Sequence, residues 1–158
     1  MDVKQVKDSS VTLSHIFMPQ DANPAGNVHG GVIVKIIDNA AAVVAFRHAR
    51  CNVVTASVDK IDFFSPGYIG NLLTVKASIN MVGRSSMEIG VRAETEDLLT
   101  GEIRHVVSAY LTFVAIDENG KPTKIPGLII KTQEEKRRNC EALKRKEHRL
   151  ITRNSKNY

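Results

Sequence analysis

Residues 28–48 read VHGGVIVKIIDNAAAVVAFRH, from Val28 to His48. Val28, Gly31, Val32, Ile36, Ala40, Val43 and Val44 recur at helical spacing, and Ile33, Ile37 and Ala41 add a second stripe. Between Gly30 and Phe46 only Lys35, Asp38 and Asn39 interrupt them, so the spacing predicts a helix apolar nearly all round. Such a helix belongs in the middle of a small domain, buried on most sides. Arg47, His48 and Arg50 place cations at its C-terminal end, opposing the negative end of the helix dipole. Beside the main stripe, Gly31, Val34, Asp38, Ala42 and Ala45 form a flank of mostly small residues open to close approach, with a carboxylate in its middle.

Outward from this helix the period changes to two. Upstream, Ser9–Met18 alternates as a strand, and PQDANPAGN then reads as a loop. Residues 1–8 are polar and expected to fray. Downstream come Val53–Phe63, Leu72–Met81, a strand carrying Met87, Ile89, Val91 and Ala93, and Ile103–Ile116, whose second half is apolar on both parities. Asp117-Glu118-Asn119-Gly120 carries hairpin chemistry. Thr132 and Glu135 make a capping box, so a basic helix is predicted over 134–150. One buried helix followed by a meander of long strands gives an α+β domain, a curled antiparallel sheet wrapped on the central helix plus a C-terminal basic helix. Such a sheet leaves its other face and its edges for a partner subunit.

The 158 residues suit a single domain, with a core over about 9–130 and a basic helix and tail over about 131–158. The net charge of +5 is segregated: from Lys131 onward ten Lys/Arg face four Glu, while the rest of the chain balances at −1. A near-neutral body and a chain without Trp argue against a nucleic-acid partner. The longest apolar run, Ala40–Phe46, is too short to span a membrane, and the first ten residues lack the apolar core of a secretory signal. Cys51 and Cys140, far apart and without ligand spacing, are expected as reduced thiols in a cytoplasmic protein. The histidines show no metal-ligand spacing, and no metal is expected.

Asp38 is the anomaly, since an acid two turns into an apolar helix must be solvated, paired or functional. At a lined cleft it is a candidate general base for activating water, against the plain reading of a solvent-facing Asp. Asn27 and His29-Gly30-Gly31 come at the helix start, where free backbone N–H groups suit a developing oxyanion. Asn27 also reads as an ordinary N-cap. Eleven residues separate Asn27 from Asp38, about 16 Å along one helix, too far to share a substrate within one subunit. Two chains related by a twofold axis bring Asn27 of one to Asp38 of the other if their helices run antiparallel.

The stretches AGNVHGGVIVKIIDNAA, VVTASVDKIDFFSP, VGRSSMEIGVRAE and SAYLTFVAID, in this order, resemble the hotdog-fold acyl-CoA thioesterases of the cytosolic acyl-CoA hydrolase type, over roughly residues 9–140. The resemblance implies hydrolysis of acyl-CoA to free acid and CoA. Asp38 would act as general base or nucleophile, and an Asn matching Asn27 would act across a subunit interface. His29, Gly30, Gly31, Thr55, Gly83, Arg84, Ser85 and Ser86 form the expected substrate-binding set, with the Gly83–Ser86 turn offered to pantetheine or phosphate. Lys136, Arg137 and Arg138 of the basic helix are further candidates for the CoA nucleotide. No cofactor is implied, CoA entering only as part of substrate and product. Many relatives carry two such domains in tandem. One copy here implies at least a dimer with shared sites, and trimers of such dimers are common in the family. Two other readings are a non-catalytic acyl-CoA binding or sensing module and a hotdog dehydratase.

Overall fold

The computed structural model describes residues 2–156. Alternation in the sequence becomes a five-stranded antiparallel sheet. Its strands are β2 (Val11–Ile16), β3 (Asn52–Phe63), β4 (Leu72–Val82), β5 (Ser86–Glu96) and β6 (Ile103–Ile116), in the order β2-β4-β5-β6-β3. One parity of each central strand points to the concave face: Leu73, Val75, Ala77 and Ile79 from β4, Met87, Ile89, Val91 and Ala93 from β5, Val107, Ala109, Leu111, Phe113 and Ala115 from β6. Against them lies α1 (Gly30–Ala49), burying Ile33, Ile37, Ala40, Ala41, Val44 and Ala45. The helix is wrapped by the sheet as the hydrophobic spacing requires.

β3 closes one edge of the sheet and, among the described residues, pairs only with β6. Two register shifts, at Thr55/Ser57 and Val58/Lys60, coil this strand, and neither shows in its sequence.

The convex face is not left open, as the sequence suggested. α2 (Gln133–Ser155) crosses it from β4 to β3, with the predicted capping box formed reciprocally by Thr132 and Glu135. Its grip is mostly polar. Asn139 Nδ2 donates to the Asn80 carbonyl at 2.9 Å, Arg145 makes two bonds to fully buried Glu88 and lies 3.7 Å over the Tyr110 ring, and Arg149 pairs with Asp59.

Two further expectations are corrected. Part of segment 1–8 is ordered: β1 (Val3–Gln5) pairs in parallel with β7 (Gly127–Ile129), and Val6 is buried. Three-residue strands carry no periodicity to read. His48 is not an exposed cation at the helix end. It is fully buried, its Nε2 is 2.8 Å from the Pro126 carbonyl, and burial holds its pKa below the usual histidine range. Lys4 serves that end instead, donating to the carbonyls of Arg47 and His48 at 2.9 and 2.7 Å.

Candidate active site

Asp38 emerges half-buried from α1 where the helix passes β3. Thr55 Oγ1 donates to Asp38 Oδ1 at 2.8 Å. Among the described residues no cation pairs with Asp38, so its Oδ2 is free to accept. Thr55 was grouped with the substrate in the sequence; its contact here is with the acid. The register places Thr55 opposite Phe113, and Phe113 opposite Met87, so the Gly83–Ser86 turn lies at the same end of the sheet as Asp38.

That turn spends its carbonyls inward. Arg84 O accepts from Ile125, Ser85 O from Ala115 and Ser86 O from Gly83. The amides of Arg84 and Ser85 have no acceptor among the described residues.

The other candidates sit at the opposite end. The loop before α1 is tied down by Asp21, whose carboxylate accepts from the Met18 amide at 2.8 Å and faces His15 Nε2 at 3.0 Å; these bonds hold its pKa below the usual carboxylate range. The Asp21 carbonyl takes the His29 amide, and Gly67 takes that of Val28. His29, not Asn27, is the N-cap: its Nδ1 accepts from Gly31 N–H at 2.9 Å. Gly31 has therefore spent its donor, while the Gly30 N–H has no acceptor among the described residues. Phe63, at the far end of β3, packs over Gly30. Eight helical residues, about 12 Å, separate Gly30 from Asp38.

A residue the sequence reading passed over is Asn23. Its Oδ1 accepts from the amides of Ala25 and Asn27 at 3.0 and 3.1 Å. Because both partners are donors, the oxygen faces them, and the Nδ2 amino group points away from those two amides. Asn27 meets Asn23 through its backbone, its carbonyl accepting from Asn23 N–H at 2.7 Å.

A groove of about 480 Å³ lies elsewhere, on the convex face beside α2, lined in part by Ser78, Asn80, Tyr110, Arg138 and Arg145. It does not include Asp38. The basic-helix candidates of the sequence are largely spent: Arg137 pairs with Glu134 and Glu141, and Arg138 with Glu134.

A family model for the thioesterase superfamily matches residues 25–102, which span the Gly30 end of α1, Asp38, Thr55 and the Gly83–Ser86 turn. An acyl-CoA hydrolase from Staphylococcus aureus, solved in complex with butyryl coenzyme A and coenzyme A, is 34% identical, with a TM-score of 0.90 over 98% of this chain and 94% of that one. This chain belongs to the thioesterase superfamily. Its hotdog fold is the architecture described above. The protein VdlD of Helicobacter pylori is 44% identical over 89% of this chain and 80% of its own length. An apo-hexameric acyl-CoA thioesterase is 38% identical, with a TM-score of 0.92 over 96% of this chain and 97% of that one. Alanine variants of the S. aureus hydrolase have also been solved at an Asp, at an Asn fifteen positions before it and at a Thr seventeen positions after it.

Proposed function

We propose that this thioesterase hydrolyses acyl-CoA to the free carboxylic acid and CoA, in sites shared between two copies of the chain. The observation that carries the reading is the Thr55–Asp38 hydrogen bond, an acid on an apolar helix with one oxygen held by a hydroxyl and the other open. Its spacing to Thr55, seventeen positions, equals that between the substituted Asp and Thr of the S. aureus hydrolase.

Asp38 Oδ2 takes a proton from water as the water oxygen bonds to the thioester carbon. The carbonyl oxygen becomes an oxyanion, held by the Gly30 N–H of the facing copy. Collapse breaks the C–S bond, and the CoA thiolate takes the proton back from Asp38. With Oδ1 occupied by Thr55, a role as base is favoured over nucleophilic attack. In a single turnover in ¹⁸O-water, the label should enter the acid product and not the Asp38 carboxylate.

The asparagine comes from the 23–27 loop of the facing copy. Asn27 is the residue the sequence pattern points to; Asn23 stands fifteen positions before Asp38, the spacing of the S. aureus variants, with its Oδ1 held by the amides of Ala25 and Asn27. The free edge of β3 supports the pairing. Val54, Val58 and Phe63 are about half exposed along it. An antiparallel twofold joining of two β3 edges sets the Gly30–Phe63 end of one chain against the Asp38–Thr55 end of the other. A trimer of such dimers agrees with the hexameric neighbour.

Purified protein given a panel of acyl-CoAs and a thiol reagent should release CoA continuously, which neither a binding module nor a dehydratase does. Asp38→Ala should abolish release while keeping the oligomer. Mixing Asp38→Ala subunits with Asn23→Ala or Asn27→Ala subunits should restore activity for whichever asparagine reaches the partner's acid. No recovery with either, despite shown subunit exchange, refutes the shared site. Among the described residues, no helix is long and apolar enough to cross a membrane.

A further inference from the structure

The Gly83–Ser86 turn does not stand alone. α2 lays Lys146 against it: a Cβ built on Gly83 would sit 3.2 Å from Lys146 Nζ and 3.0 Å from Ser86 Oγ. The missing side chain of Gly83 is what lets the ammonium reach the turn. Lys146 is also unlike the other cations of its helix. Arg137, Arg138, Arg145 and Arg149 are all paired with carboxylates, and Lys136, Lys144 and Arg153 are exposed. Lys146 alone is half-buried with no carboxylate partner among the described residues. A half-buried cation without a carboxylate partner keeps its charge available to an anionic ligand at the turn.

Its neighbours supply the rest of an anion site. The two amides of Arg84 and Ser85 without acceptors, the exposed guanidinium of Arg84 and the hydroxyl of Ser86 converge on the same four residues. Successive free amides beside two cations are the makings of a phosphate nest.

We infer that Lys146, presented by α2, is a specificity-determining residue that binds a phosphate of the CoA nucleotide together with the Gly83–Ser86 turn. The inference rests on the acyl-CoA reading of the site and adds to it a contact from outside the segment matched by the family model. α2 thereby becomes part of the substrate site, held in place by its ion pairs to Glu88 and Asp59.

The test compares Lys146→Ala and Lys146→Glu with wild type in two assays. Calorimetry with free CoA and with pantetheine reads binding without turnover, and kinetics with acyl-CoA and acyl-pantetheine reads KM against kcat. Loss of a charge-assisted bond should raise the Kd for CoA and the KM for acyl-CoA about tenfold, and more for Lys146→Glu. Pantetheine binding, acyl-pantetheine turnover and kcat should hold, because the phosphates do not change in the transition state. Unchanged CoA affinity, or an equal loss on both ligands, overturns the assignment. Arg84→Ala in parallel separates the failures: a nucleotide-specific loss there with none at Lys146 sinks only the α2 contact. No nucleotide-specific loss in either variant removes the turn from the substrate site. A wild type that binds CoA but never releases it from acyl-CoA refutes the hydrolase reading and leaves the Lys146 contact to the calorimetry.

Discussion

The two helices lie on opposite faces of one sheet and are held by different forces. α1 buries six aliphatic side chains and one histidine, while α2, three residues longer, buries only Ala142. On the concave side the sheet offers Leu, Val, Ile, Met and Phe; on the convex side it offers Glu88, Asp59 and the Tyr110 ring. Apolar burial is non-directional and scales with area, so α1 supplies stability, each large aliphatic contributing roughly 1.5–3 kcal/mol. A buried ion pair gives little net stability but has one good geometry, so the convex face fixes where α2 sits more than how tightly the domain folds.

The largest blow to this contrast should come from the concave side. Ile37→Ala opens a cavity under a fully buried side chain and should lower unfolding free energy by about 2–5 kcal/mol, read as a shifted denaturant midpoint for the whole domain. A change confined to α2 would contradict the division. Next comes Glu88→Ala, which strips Arg145 and Arg149 of a carboxylate that is itself fully buried. Since both arginines keep some access to water, we expect about 2–3 kcal/mol, together with faster hydrogen exchange in α2 than in α1. The double change Glu88→Met with Arg145→Leu should recover most of the loss, because no unpaired charge remains; failure to recover would make the ion pair a net stabiliser.

A smaller effect separates the helices by pH. Burial depresses the pKa of His48 from 6.5, so below that value the unfolded chain binds the proton that the folded chain refuses. Stability from this group is full above pH 6.5 and falls as acid is added, by at most about 1.4 kcal/mol per pH unit. His48→Gln should flatten that limb; a limb that persists assigns the acid sensitivity elsewhere. The smallest effect belongs to the exposed ladder of α2. Arg137→Ala removes bonds to Glu134 and Glu141, yet all three side chains stand in solvent, and the thermal midpoint should not move measurably.

The same contrast explains what the sequence could tell. Burial leaves a pattern: the stripes through Ile33, Ile37 and Ala41 and the alternation of Leu73, Val75 and Ala77 announce helix, strands and core in the sequence itself. Ion pairs leave none, because Arg145 and Lys146 are neighbours of like charge until the docked helix gives one to Glu88 and the other to the Gly83 turn. Asp38 stood out as a candidate because an acid on an apolar helix is out of place. Asn23 did not stand out, because it is ordinary in a loop of Pro, Asn and Gly, and the two amides that donate to its Oδ1 meet it only in the folded loop. His48 was misread for a related reason: basic residues at a helix end satisfy the dipole rule, and only the fold shows Pro126 closing over this one.

The two irregularities of β3 have a consequence for how the protein behaves when crowded. A twelve-residue edge strand bearing exposed Val54, Val58 and Phe63 is the kind of surface that recruits stray strands and seeds fibrils. Its bulges break the even row of amides that a straight intruder needs. In the proposed dimer, a second copy of the chain, bearing the same two bulges in reverse order about a twofold axis, would meet the edge with matching gaps. On that proposal the strand would be closed to indiscriminate addition and open to its own kind, and a variant with the bulges deleted should trade assembly for precipitation.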